Sequence, residues 1–421
     1  MTKEQKTRQG VFWAVTIGYG LFYVCRLSIN VLKKAIIEDG FLSESQLGII
    51  GSALFFSYAV GKLVNGFLSD RVNVRYFMSG ALLVCALVNA ALSLNLPFWL
   101  FVGLWALNGW FQSCGAPCSV ISLKQWFSGK NYGTMYGFWS ASHNLGEAIT
   151  FIFIAFVVGA LGWRMGFISA SALGLLGAAL IFCLLRQHPS VSATNLPARE
   201  KQKSIGEKQA EVIKMPIIWV LALASAFMYI ARYAVNSWGI FYFEAEKAYT
   251  TVQAASLVSI SSVCGIIGTI GSGLVSDKVF KGDRVLMAVI TSALNLISIA
   301  LFLFVPAGHY IVDVATMVLF GLSIGVLICF LGGLMAVDVA PAGAVGAAVG
   351  VIGIASYAAA GIQDILSGFL IEGKKVIDEA GLTTYDFSAI RFFWIAAAAS
   401  SLLLLAVLLF RKKKSLRLAQ S

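Results

Sequence analysis

Arg26 and Arg232 each stand near the middle of a run of apolar residues about as long as a bilayer is thick. A third cation, Lys62, lies within another such run. A charge in that setting costs roughly 3 kcal/mol or more unless it meets water or a partner, so each marks a candidate functional site. Arginine is always protonated, and its planar fork of N–H donors fits two oxygens of one phosphate group. The chemistry on offer is therefore the binding of a small anion. No nucleophile and base are arranged beside these cations, so an enzyme is not expected. The competing possibility is that buried acids neutralise the arginines, and the acids assigned to the apolar runs are Glu147 and Asp364. Both are also candidate protonatable groups for coupling. Glu147 follows His143 by one helical turn, which places them on one face as a pair. His143 is either a further ligand for the anion or a packing residue.

The elements that position these residues follow from composition. The chain has 421 residues, of which 59% are hydrophobic and only 12% charged, too much apolar surface for one soluble core. Backbone groups in lipid must be satisfied within their own segment, so each apolar run is expected to be a helix. Twelve runs are expected as spans, at 11–34, 47–69, 76–95, 97–121, 132–158, 163–185, 216–242, 252–275, 284–305, 311–336, 344–371 and 389–410. The polar segment at about 187–214 reads as a cytoplasmic linker between an N-terminal half, 1–186, and a C-terminal half, 215–421. The first run is too long for a signal peptide's apolar core and is expected to remain as span 1.

The net charge of +11 is not gathered into a patch for nucleic acid. With the N-terminus inside, 21 of the 31 Lys and Arg residues fall on the cytoplasmic side and seven outside: Lys33, Lys34, Arg164, Lys247, Lys374, Lys375 and Arg391. Both termini are thus expected in the cytoplasm of a multi-pass inner-membrane protein. The seven cysteines all lie in apolar runs and read as small packing residues. No metal or other cofactor is expected. Without a Gly-rich phosphate loop, ATP is not the expected driver.

The halves are related. Tyr23-Val-Cys-Arg26 matches Tyr229-Ile-Ala-Arg232 at an offset of 206 residues, and Gly66-Phe-Leu-Ser-Asp70-Arg71 matches Gly273-Leu-Val-Ser-Asp277-Lys278 at 207. A parallel repeat of six-span halves is the architecture of major facilitator carriers, with the site between the halves near the midplane. Asp70, Arg71, Asp277 and Lys278 resemble that superfamily's loop signature, which implies a gate at helix ends; otherwise they are charged turns that fix topology.

The stretches Gly18-Tyr19-Gly-Leu-Phe-Tyr23-Val-Cys-Arg26, Tyr58-x-x-x-Lys62, Trp139-Ser-Ala-Ser-His143-Asn144-Leu-Gly146 and Tyr229-x-x-Arg232-Tyr233 resemble the organophosphate:phosphate antiporter family. Known members carry glycerol-3-phosphate or hexose 6-phosphates. The resemblance spans essentially the whole chain. It implies that Arg26 and Arg232 bind phosphate, and that Lys62, His143, Tyr19, Tyr23, Tyr58 and Tyr229 line the central cavity. Three departures stand out: Glu147 where the family usually has glycine, Ser140 where glycerol-phosphate carriers place Asn, and Gly325-Val-Leu327 in place of Tyr-Gly-Pro. The expected function is exchange of an organophosphate for inorganic phosphate by alternating access, by a monomer in the lipid bilayer. The alternatives are a membrane sugar-phosphate sensor without substantial flux and a proton-coupled organic-anion carrier.

Overall fold

The computed structural model describes residues 2–69, 71–127, 130–187, 210–280, 283–340, 345–377 and 383–420. Span 1 is Lys3–Glu38, span 2 Glu44–Ser69 and span 3 Val74–Leu92. Span 4 comes in two pieces, Phe98–Gln112 and Gly115–Trp126. Spans 5 and 6 run together as Lys130–Leu184 and part at Gly162, where φ is +81°, a left-handed conformation that glycine takes without steric cost. Span 7 is Pro216–Glu246, span 8 Thr251–Lys278 and span 9 Arg284–Phe304. Span 10 starts as Tyr310–Cys329, widens into a π-turn at Phe330–Leu334 and ends as Met335–Val339. Span 11 is Val345–Glu372 and span 12 Ser388–Gln420.

These are the twelve expected spans in two six-helix halves, but the helices outrun the apolar pattern. Span 1 begins at Lys3 under a capping box, in which Thr2 accepts from the Gln5 N–H and the Gln5 side chain answers. Such a cap carries the helix beyond its apolar part. Between spans 11 and 12, β1 (Lys375–Ile377) and β2 (Thr383–Tyr385) form an antiparallel hairpin with Lys375 opposite Tyr385. Apolar periodicity gave no sign of it. Of the expected linker, residues 188–209 lie outside the described residues, while 210–214 are helical and Val212 is buried in the core. Large apolar side chains such as Leu176, Ile311, Phe392 and Phe410 are exposed. On this many-helix bundle they form the lipid-facing surface of a multi-pass membrane protein.

The halves meet along spans 1 and 7, 2 and 11, and 5 and 8. Repeat mates touch: the Asn30 side chain donates to the Asn236 carbonyl, 206 residues away, at 3.1 Å. Near the end away from the N-terminus, the distal end, span 11 lies almost on the backbone of span 2. A Cβ on Gly51 would sit 1.9 Å from Asp364 Oδ2, and one on Gly48 2.5 Å from the Asp364 carbonyl oxygen. Small residues permit this approach, as they do in many membrane helix pairs. Towards the opposite end, the one that carries the chain's N-terminus, a Cβ on Gly66 or Gly350 would meet open space. Spans 2 and 11 are thus in close contact at the distal end.

This difference along span 2 is testable by thermal unfolding of the purified protein. Gly51→Val forces atoms into an occupied site and is expected to destabilise by about 1–3 kcal/mol. Gly66→Val is expected to stay within about 0.5 kcal/mol of the parent. Equal losses at the two positions would contradict the close distal approach.

Candidate functional site

Arg26 sits in the second half of span 1 and is only 4% exposed. Its Nη2 donates to the Tyr233 hydroxyl of span 7 at 3.2 Å. The guanidinium lies 4.6 Å from the ring centre of Tyr58, and 5.6–5.7 Å from those of Tyr23, Phe55 and Tyr357. The negative faces of aromatic rings replace part of the hydration a buried cation has lost. Among the described residues no carboxylate forms an ion pair with it, whereas other buried cations have one.

Arg232, its repeat mate, is in a different electrostatic setting. Its Nη2 is 3.8 Å from Glu147 Oε2 of span 5. Glu147 Oε1 accepts hydrogen bonds from Asn236 Nδ2 and Ser262 Oγ, each at 2.6 Å. The expected Glu147–His143 pair does not form. Helical spacing brings the two side chains to one face, but three donors from the opposite half claim the carboxylate. His143 Nδ1 instead faces the Ser140 carbonyl one turn back, and its ring packs 5.6 Å from Tyr23. The Arg232 guanidinium lies 5.7 Å from the Tyr229 ring and 5.4 Å from that of Tyr233. Tyr233 therefore touches both arginines.

A cavity of about 280 Å³ is lined by Ser140, His143, Asn144, Glu147, Arg232 and Asn236, and reaches Gly332 and Gly333 towards the N-terminal end. Beside it, Tyr357 of span 11 packs on Tyr58 at 4.6 Å and Tyr229 at 5.5 Å. Its ring is 5.4 Å from Nζ of Lys62, an exposed residue. Tyr19 lies one layer behind, against Tyr23 and Trp139. Gly325 is a crossing point, since a Cβ there would come 2.3 Å from the Gly265 carbonyl oxygen. Arg71 and Lys278 are exposed, while Asp70 and the Asp277 side chain lie outside the described residues.

Asp364 belongs elsewhere. Its Oδ1 accepts from Ser237 Oγ at 2.5 Å and Trp238 Nε1 at 2.7 Å, and lies 3.5 Å from Lys33 Nζ. Lys33 and Asp364 are each only 1% exposed, so Lys33 is not in an outer loop as expected. Lys247 is also buried, 2.5 Å from Asp313, and Arg391 opens span 12 with Glu246 and Tyr242 as partners. The acids in the spans are thus not Glu147 and Asp364 alone. In each case a charged residue at the edge of an apolar run is held by a partner of opposite charge on another element instead of standing free in a loop.

At the distal rim the hairpin completes the closure. Fully buried Glu44 of span 2 takes Lys375 at 3.0 Å and the Tyr385 hydroxyl at 2.6 Å, and Glu372 Oε2 accepts the Ser45 N–H at 2.7 Å. Burial, and then the Glu44 carboxylate, push the Tyr385 phenol well above its usual pKa, so it stays a donor.

Four residues of this architecture escaped the sequence reading. Asn236 and Lys33 stand four and seven residues after Arg232 and Arg26, on the same helical faces, and that spacing was the available signal. Tyr233 adjoins an arginine, but its bridging position comes from the fold. Tyr357 had no signal beyond being an aromatic among small residues.

The family described as the Major Facilitator Superfamily matches residues 15–363. The membrane sensor protein UhpC of Salmonella typhimurium is 32% identical over 376 residues, covering 85% of this chain and 84% of that protein. A probable hexose phosphate transport protein of Chlamydia pneumoniae is 34% identical over 315 residues, 69% of each chain. The glycerol-3-phosphate transporter of Bacillus subtilis is 28% identical over 395 residues, 87% of each.

The Lys33–Asp364 pair carries a stability prediction. Asp364→Asn leaves a buried ammonium uncompensated and is expected to cost about 3–5 kcal/mol. Combining it with Lys33→Met is expected to recover most of that loss in thermal unfolding. A double variant no more stable than Asp364→Asn would show that the two charges do not depend on each other.

Proposed function

We propose that this chain, which belongs to the major facilitator superfamily and within it to the organophosphate:phosphate antiporter family, exchanges a small phosphate ester for inorganic phosphate across the inner membrane. It is a transporter rather than an enzyme, as that family is. The observation that carries the substrate class is the pair Arg26 and Arg232. Repeat-related and buried, they are joined through Tyr233, and Arg232 lines a cavity of metabolite size. One arginine comes from each half, so a phosphate held by both would tie the halves together at mid-membrane depth. Lys62, His143, Tyr19, Tyr23, Tyr58 and Tyr229 complete the site in this reading: hydroxyls donate to phosphate oxygens or to the organic moiety without adding charge.

The distribution of Lys and Arg supports an orientation with both termini in the cytoplasm. On that orientation the cavity opens inward and the distal closure faces outward. Residues 1–186 and 215–421 are the moving halves and 187–214 the linker. Rocking of the halves opens the site to one side at a time. Asp70–Arg71 and Asp277–Lys278 then serve as gates on the inner side. Arg26, with rings but no ion-paired carboxylate among the described residues, makes closure without an anion costly. That favours exchange by a monomeric carrier.

A second reading rests on the likeness to a protein described as a membrane sensor. A sensor would bind the phosphate ester at the same site and pass little of it.

Proteoliposomes separate these readings. Vesicles loaded with phosphate are expected to take up labelled phosphate far faster than empty ones, by a hundredfold if the empty return is slowed by ~3 kcal/mol. Equal rates would favour a proton-coupled carrier, and binding without flux in either case would favour the sensor. Arg26→Lys and Arg232→Lys keep charge but lose the fork, and each is expected to lower exchange about 10- to 100-fold, the equivalent of one charge-assisted hydrogen bond. Exchange at the parent rate in either variant would sink the two-arginine site.

A further inference from the structure

Glu147 is the one acid bonded to a central arginine among the described residues, and among those residues every partner of its carboxylate comes from the other half. Arg232 and Asn236 stand on span 7 and Ser262 on span 8, while Glu147 stands on span 5. The side chain is only 3% exposed, and it shares the cavity wall with Arg232 and His143. Its geometry is uneven. Oε1 is fully engaged by two short hydrogen bonds at 2.6 Å, whereas Oε2 stands off from the guanidinium at 3.8 Å. The carboxylate is anchored by neutral donors and only leans towards the arginine.

We propose that Glu147 is a built-in anion that compensates Arg232 while the site is empty and gives the guanidinium up to the phosphate group when substrate arrives. The inference rests on the phosphate-site reading above and adds a residue to it. A carboxylate and a phosphate cannot both sit closely on one guanidinium in a site of low dielectric, because two anions at contact distance repel strongly. Binding must therefore move either the phosphate or the carboxylate, and Asn236 and Ser262 supply donors that hold the displaced carboxylate without its cation. The exchange of partners also changes a bond between halves. With Glu147 on Arg232, span 5 holds span 7 through both Arg232 and Asn236; with phosphate on Arg232, Asn236 alone keeps that tie and a new one runs through the substrate to Arg26 of span 1. Occupancy is thereby converted into a change in the links across which the halves rock. Glu147 acts here through Arg232 and is a positioning residue.

The asymmetry has a further consequence. Among the described residues Arg26 has no such internal anion, so the substrate's charge is taken up unequally. Arg26 binds phosphate without a competitor, while Arg232 binds it against one. Affinity is then held below what two free arginines would give, which favours release on the far side.

Equilibrium titration of purified protein with inorganic phosphate tests this without depending on flux. Glu147→Gln keeps the shape and one hydrogen-bonding oxygen but removes the competing charge. It is expected to tighten phosphate binding by about tenfold, within the range usual for coupling between two sites. Glu147→Asp keeps the charge on a shorter stem, retracts it from Arg232 and is expected to tighten binding by less; it stands in if the glutamine variant does not fold. In empty vesicles, net uptake by Glu147→Gln is expected to fall below that of the parent, because Arg232 must then cross uncompensated. Unchanged or weaker phosphate binding in a folded Glu147→Gln protein, or in Glu147→Asp if only that one folds, overturns the internal-anion role and leaves the phosphate site standing. Absence of phosphate binding in parent and variants alike overturns the phosphate-site reading itself, and this inference with it.

Discussion

A guanidinium cannot be left dry at the centre of a bilayer, and much of this structure is arranged around two of them. Hydration lost by Arg26 is replaced by four aromatic rings and one tyrosine hydroxyl. Hydration lost by Arg232 is replaced by two rings and a carboxylate. Neither set comes from one helix or from one half. Tyr58 and Phe55 belong to span 2, Tyr357 to span 11, Tyr233 to span 7 and Glu147 to span 5. The arginines thus hold the two halves in a defined relation, and any anion that binds them acts on that relation directly.

The same principle explains the closed distal end. Lys33 with Asp364, and Lys375 with Glu44, are charge pairs made across the halves, buried at least on the acid side. Such pairs contribute little net stability against apolar packing, because desolvation consumes most of their attraction. They are specific all the same: separating them with no water at hand is costly. Glycines at 48 and 51 let the backbones approach until that water is excluded. At the opposite end a Cβ on Gly66 or Gly350 would meet open space instead.

What the sequence made legible follows from how local each signal is. Twelve spans were readable because lipid imposes one length and one composition on every helix. The arginines were readable because charge in an apolar run is rare, and their relation because the repeat preserves Tyr-x-x-Arg at one offset. Helix ends were not readable, since polar caps such as Thr2 extend helices where hydropathy has already fallen. Assigning charged residues at the edges of apolar runs to loops put Lys33, Lys247 and Arg391 outside and hid the partner of Asp364. Glu147 was singled out correctly but given the wrong partner. Spacing along a helix shows which residues share a face, and says nothing of the stronger donors that another helix brings to it.

The central claim is that both halves contribute one arginine to one anion site. The most direct measurement is calorimetric titration of the purified protein with inorganic phosphate, repeated in the presence of glycerol 3-phosphate and of glucose 6-phosphate. A shared site predicts one phosphate bound per chain and strict competition by any ester that binds. Two phosphates bound independently, or an ester that binds without displacing phosphate, would show that Arg26 and Arg232 serve separate sites.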